Sequence, residues 1–268
     1  MLANQDTKSL GDYPLLIKNL LHTPLLVAPD QEIVSSRIRR YNYRTLKERI
    51  GRLASGLTSI GIGMGNTVGV MDWDSHRYLE CFLGVPMMGG VLHTINVRLS
   101  VGQILYTINH AEDDVILVHV DFLPIIEAIA PKIERPVKII LIQDDPASPT
   151  PDAGQVAEYE SLLAASDSNF DFADFDESTQ ATIFYTTGTT GEPKGVAYSH
   201  RHLMLHTLGL LAGLGPRPGG SRVHKDDVYM PITPMFHVHG WGFPYAATLL
   251  GMKQVTPSRA ISSNNVAG

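Results

Sequence analysis

Apolar side chains recur at three- and four-residue steps between residues 43 and 60: Leu46, Ile50, Leu53, Ala54 and Leu57. This is the spacing of one helix face, so a helix is predicted over 43–60, stopped by Gly61, Gly63 and Gly65. Residues 68–71 form an unbroken apolar run, short enough for a buried strand. The alternation then repeats. Helices are predicted over 75–88, 100–110 and 122–133, with Ser75 as an N-cap and Gly89-Gly90 closing the first of them. Strands are predicted over 91–95, 115–120 and 137–142. Strands alternating with helices argue for βαβ units, layered sheets and an α/β fold class with a mostly parallel sheet.

Outside that pattern, residues 1–40 read as a lead-in with a short amphipathic segment near 15–21. The stretch 144–157 is rich in Pro and Asp and reads as a surface loop. A short helix is predicted over 159–165 and an acidic linker over 167–177. The division expected is therefore an N-terminal α/β subdomain, 1–143, a linker region, 144–178, and a second part, 179–256, followed by a divergent tail, 257–268. Within the second part Ser199 caps a helix reaching about residue 214, a strand covers 228–232, and an apolar helix covers 243–250.

Composition narrows the classes. The 268 residues are enough for one large or two modest domains with a real core. Net charge is −6 with no basic block, which gives a nucleic-acid partner no electrostatic support. A single cysteine, Cys81, excludes an internal disulfide and a cysteine-only zinc cluster and fits a cytoplasmic location. Lys18, Asn19, His22 and Pro24 interrupt the apolar stretch 15–27, so no secretory signal is expected. No run approaches the roughly 18 apolar residues of a bilayer span. Peripheral membrane contact stays open, since it needs only a patch.

The strongest chemical signal lies at 182–198. A β-rich run, 182–186, passes into a turn containing Gly188, Gly191 and Gly195, and an apolar run returns at 196–198. The glycines let backbone N–H groups converge on one anion. Thr186, Thr187, Thr189 and Thr190 add hydroxyl donors, and Lys194 adds a positive charge suited to phosphate oxygens. A Walker A loop is excluded, because Pro193 stands where it needs glycine and Gly195 follows Lys194. No GxGxxG opens a helix for a dinucleotide. A hairpin turn with no ligand is the alternative reading, and the density of hydroxyls, glycines and lysine counts against it.

Other candidates are weaker. Pro234-Met-Phe-His-Val-His-Gly-Trp241 places two histidines among bulky apolar residues just past a strand. This suits an acyl-binding wall with one hydrogen-bonding member, or else a core edge with satisfied histidines. His202 and His206 are spaced i, i+4, close to His200, but no HExxH motif or carboxylate accompanies them. They are read as surface or packing residues rather than metal ligands, and His237 with His239 is equally weak as a metal pair. Asp72 and Asp74 are expected to face solvent without a role.

Thr186-Thr-Gly-Thr-Thr-Gly-Glu-Pro-Lys-Gly195 resembles the phosphate loop of the adenylate-forming (AMP-binding) superfamily. Asp72-Trp-Asp-Ser-His-Arg-Tyr-Leu-Glu80, Gly89-Gly-Val-Leu-His-Thr-Ile-Asn-Val-Arg-Leu-Ser100 and Ile108-Asn-His-Ala-Glu-Asp113 resemble its medium- and long-chain fatty acyl-CoA synthetase branch. The likeness covers about residues 10–256 and implies the layered α/β fold of that family's N-terminal domain. It implies ATP-dependent activation of a fatty-acid carboxylate to acyl-adenylate, then transfer to coenzyme A. On that pattern Thr186 contacts phosphate and Mg²⁺, and Thr187, Gly188, Thr189, Thr190 and Gly191 cradle the β,γ-phosphates. Lys194 is their charge partner. His237 lies beside the carboxylate, with Val238 and Trp241 against the acyl chain and Trp241 as wall or gate. Fatty acid, ATP and coenzyme A are the implied partners, and a homodimer is a family-level expectation.

The pattern is incomplete. The family's later magnesium-binding Glu, adenine loop, ribose-binding Asp and catalytic Lys have no counterpart here, so the chain reads as an N-terminal portion, truncated relative to that pattern. Two readings stand beside a ligase: a non-catalytic fragment that binds ATP or acyl groups, and an adenylate-former for an aryl or amino acid.

Overall fold

The computed structural model describes residues 13–35, 39–145, 152, 154–186, 191–215 and 222–259. In chain order the elements are α1 (His22–Val27), β1 (Glu32–Ser35), β2 (Arg39–Asn42), α2 (Tyr43–Ser59), β3 (Thr67–Met71), α3 (His76–Met87), β4 (Val91–Thr94), α4 (Val101–Ala111), β5 (Asp113–His119) and α5 (Leu123–Ile129). There follow β6 (Lys138–Ile142), β7 (Ala157–Glu158), α6 (Tyr159–Ala164), β8 (Gln180–Thr186), β9 (Lys194–Ser199), α7 (His200–Leu214), β10 (Val228–Tyr229), α8 (Phe243–Leu250) and β11 (Lys253–Thr256).

Seven strands form one sheet in the order β7-β6-β5-β3-β4-β8-β9. Every neighbouring pair is parallel except β8 with β9. Side chains alternate between its faces, as strand geometry requires. Val68, Val70, Val115, Leu117, Ile140 and Ile142 point to a core shared with Leu46, Ile50 and Leu53 of α2 and Phe82 of α3. Met71, Ile116, Val118 and Leu141 point the other way, onto Ile104 and Ile108 of α4 and Leu123 and Ile126 of α5. Each such side chain contributes about 1.5–3 kcal/mol on leaving water, so the two faces are bound by burial. The mostly parallel sheet matches the sequence pattern.

Helix starts follow their caps. Ser75 Oγ accepts from Tyr78 N–H at 3.3 Å at the head of α3. Ser100 and Gln103 close a reciprocal capping box on α4, as Ser199 and His202 do on α7.

Several expectations need correction. The helix expected over 122–133 ends at Ile129 and gives way to a 3₁₀ turn, Ala130–Lys132, because Pro131 has no N–H to bond back along the helix. The strand expected over 228–232 stops at Tyr229, two residues before Pro231, which cannot donate to a ladder. The lead-in contains β1 and the start of β2, the loop 144–157 runs into β7, and β11 follows α8. β10, β11, β1 and β2 make a second, four-stranded sheet. Strands from both sides of the 144–178 stretch share the large sheet, since β8 pairs with β4. Arg49 of α2 bonds Glu80 of α3 at 2.6 Å and Glu160 of α6 at 2.7 Å, bracing three helices behind it.

Candidate functional site

β8 and β9 form a hairpin whose last paired residues are Thr186 and Lys194. β8 is also the neighbour of parallel β4, so its turn opens at the carboxyl ends of parallel strands, where open α/β sheets leave a ligand crevice. Thr187, Gly188, Thr189 and Thr190 lie outside the described residues. Gly191 has φ +114°, and a Cβ there would meet nothing within 4 Å. Gly195 is different: a Cβ would come 3.2 Å from the Tyr185 ring, so the hairpin closes tightly over that tyrosine. Thr186 is half-buried and Lys194 exposed. Among the described residues no hydrogen-bond or ion-pair partner is found for the Lys194 ammonium.

Beside this hairpin runs the segment from Pro234 onward. Its residues Val238–Gly242 all have positive φ, from 47° at Val238 and 54° at His239 to 59° at Trp241 and 74° at Gly242. A left-handed run of this kind is unfavourable for L residues, above all β-branched ones. Its effect is to turn consecutive side chains to different surroundings. His239 enters the core, edge-on to Phe184 of β8 at 4.9 Å and Phe82 at 5.6 Å between ring centroids. Trp241 is left 60% exposed.

A cavity of about 700 Å³ lies between this run and α7, lined among others by His237, Val238, Trp241, Phe243, His202 and His206. Tyr198 of β9 lines it too, so one arm of the hairpin is also a wall of the cavity. The structure thus gathers the three residues expected at an acyl site, His237, Val238 and Trp241, around one mostly apolar space. Thr186 and Lys194 sit at the hairpin mouth, not on the cavity wall. Tyr198 was not singled out in the sequence, because an aromatic in a short apolar strand carries no signal of its own.

The histidines divide by burial. His202 and His206 are exposed on the cavity side of α7. His200 is buried and accepts from Ile17 N–H at 3.2 Å, and burial pushes it down to about 4. Burial, with His93 adding to it, pushes His239 down to about 3. Among the described residues no group of three His, Cys, Asp or Glu side chains comes together to hold a metal ion.

Asp72 and Asp74 correct the sequence reading. Both lie past the end of β3, where strand alternation no longer applies, and neither simply faces water. Asp72 is buried and accepts from Ser75 Oγ at 2.5 Å and Arg77 Nε at 3.3 Å. Asp74 is half-buried and accepts from Met235 N–H at 2.6 Å. Burial raises its carboxyl to about 6.

The family model described as AMP-binding enzyme matches residues 25–267. A long-chain-fatty-acid–CoA ligase of Thermus thermophilus is 41% identical over 95% of this chain, which covers 45% of that protein. A 3-methylmercaptopropionyl-CoA ligase of Ruegeria pomeroyi is 34% identical over 95% of this chain and 47% of its own length. The chain spans about half the length of the curated relatives it matches. Among solved structures, an anthranilate CoA ligase in complex with anthranoyl-AMP superposes with a TM-score of 0.80 at 22% identity, over 91% of this chain and 45% of that one. It supports the fold alone. The family match spans both the hairpin and the cavity, and the chain belongs to the AMP-binding enzyme family.

Proposed function

We propose that this chain is the phosphate-loop and acyl-site portion of an ATP-dependent fatty acid–CoA ligase. The observation that carries the reading is one hairpin serving two spaces, with Thr186 and Lys194 at its mouth and Tyr198 on the wall of the cavity holding His237, Val238 and Trp241. At about 700 Å³ the cavity falls in the roughly 300–1,000 Å³ range of small-molecule sites. The name of the Thermus relative supports a fatty acid as the acid component.

The residues present fit a polyphosphate. Gly191 leaves open space for a ligand to approach the backbone, and exposed Lys194 stands at the hairpin mouth opposite Thr186. Thr187, Gly188, Thr189 and Thr190 complete the cradle in this reading. The Thr186 hydroxyl would help hold Mg²⁺, which would supply positive charge against the phosphates. Lys194 and backbone N–H groups hold the phosphates as negative charge builds on the leaving pyrophosphate. His237 positions the carboxylate, and Val238 and Trp241 exclude water from the chain behind it. Coenzyme A is the acceptor by family, and the 144–178 stretch lies between these parts and the first strands in sequence only, since β8 pairs with β4.

The test is dodecanoate-dependent AMP formation by the chain, compared with benzoate and 3-methylmercaptopropionate. A preference for the last two would replace the fatty acid with an aryl or short acid. A second reading is a fragment that binds ATP and acid without turnover. Binding of both with no AMP release would establish it.

A further inference from the structure

The segment carrying His237 is held by residues that take no part in the chemistry above. Asp74, in the turn between β3 and α3, accepts from Met235 N–H at 2.6 Å. Thr94, the last residue of β4, donates through Oγ1 to the Phe236 carbonyl at 3.2 Å. Arg98 sets its guanidinium 5.7 Å from the centroid of the Phe236 ring. Just before His237, then, an N–H is fixed by a carboxylate and the next carbonyl by a hydroxyl. The Asp74 backbone also accepts from Ser258 N–H at 2.7 Å, which anchors the turn itself.

We propose that Asp74 is a positioning residue for the acyl site, setting the place of His237 and of the left-handed run behind it through the Met235 amide. The inference rests on the reading of 237–241 as that site. A hydrogen bond from a backbone amide to a carboxylate at this distance is of the strong, charge-assisted kind. A run of left-handed non-glycine residues persists only while its surroundings over-determine it, and Asp74 holds the entry to that run. No other carboxylate reaches this stretch of backbone among the described residues.

The arrangement is sensitive to pH. Burial pushes Asp74 up to about 6; the Met235 amide and Arg98 oppose the rise and Asp72 adds to it. Tyr78 and Tyr229 also interact with this carboxylate. Protonation removes the charge from the acceptor, so the hold on Met235 weakens below about pH 6.

The experiment combines hydrogen exchange at the Met235 amide with dodecanoate affinity, in wild type, Asp74→Ala, Asp74→Asn and His237→Ala, at about pH 7.5 and about pH 5. Asp74→Ala is expected to speed Met235 exchange and weaken dodecanoate binding about tenfold, the effect of losing one charged hydrogen bond. Asp74→Asn, which keeps an acceptor oxygen, is expected to stay within about twofold of wild type at the higher pH and to lose the weakening that wild type shows at the lower one. If Asp74→Ala fails to fold, the pH response of wild type against Asp74→Asn carries the test. Unchanged affinity in Asp74→Ala alongside a loss in His237→Ala overturns the positioning role alone, as does Asp74→Asn with the wild-type pH response. Unchanged affinity in His237→Ala marks failure of the acyl-site reading itself and overturns the proposal with it.

Discussion

Gly242→Ala is the sharpest probe of the left-handed run beside the cavity. Gly242 has φ +74°, and a Cβ there would lie 2.6 Å from both Cε1 and Nδ1 of His206. Two costs follow, of different size. The backbone conformation costs an alanine about 1–2 kcal/mol, and nothing local relieves it. The clash is with the far end of an exposed side chain, which can swing aside, so the backbone term dominates stability. With a melting-temperature shift of about 2–4 °C per kcal/mol for a domain of this size, the variant should melt about 2–8 °C lower. The His206 ring, once displaced, has the cavity to move into, so dodecanoate binding should weaken as well. A double-mutant cycle separates the two effects. In a His206→Ala background Gly242→Ala should keep most of its stability cost and lose most of its effect on binding. The reasoning fails if Gly242→Ala melts within about 1 °C of wild type, or if removing His206 restores stability but not affinity.

Two further outcomes concern the scaffold. Glu80 accepts from Arg49 at 2.6 and 3.1 Å and from the hydroxyls of Tyr41 and Tyr159 at 2.8 and 2.7 Å. Glu80→Ala strands these buried donors, and the loss should reach about 3–5 kcal/mol, read from urea midpoints. His239→Phe should alter the pH dependence of stability. Burial holds folded His239 down at about 3 against an ordinary 6.5, so its contribution is present above pH 6.5 and is lost as pH falls from 6.5 toward 3. The phenylalanine variant should lack a slope of about 1.4 kcal/mol per pH unit across that window, and an unchanged slope would mean the wild-type ring is already protonated in the fold.

Much of the large sheet was legible because its helices and buried strands are long enough to show a period. Leu46, Ile50, Leu53 and Leu57 fixed α2 within a residue, and Ser75 and Ser199 marked two helix starts through cap chemistry. The second sheet was not legible. β1, β2 and β11 have four residues each and β10 two, too few for an alternation to stand out, and their pairing is long-range. The candidate site divided in the same way. Thr186 and Lys194 could be named from the glycines, hydroxyls and lysine written in one stretch, and His237 and Trp241 only through the family resemblance. Asp74 and Thr94 could not, because their partners at 235 and 236 are distant in sequence and meet them only through the sheet. His239 was legible as a core-edge histidine, but not as one whose buried ring nitrogens lack a partner among the described residues, since its inward turn depends on a backbone conformation that residue preferences argue against.

The central claim is that the β8–β9 turn holds the phosphates of ATP. Titration of ATP into wild type, Thr186→Val and Lys194→Ala, with inorganic tripolyphosphate as competitor, tests it most directly. Wild type should bind ATP and be displaced by tripolyphosphate. Lys194→Ala should bind about ten- to a hundredfold more weakly, the worth of a charge-assisted contact of about 1.5–3 kcal/mol, and Thr186→Val should lose less. Equal ATP affinity in wild type and Lys194→Ala, or no competition by tripolyphosphate, would contradict the account.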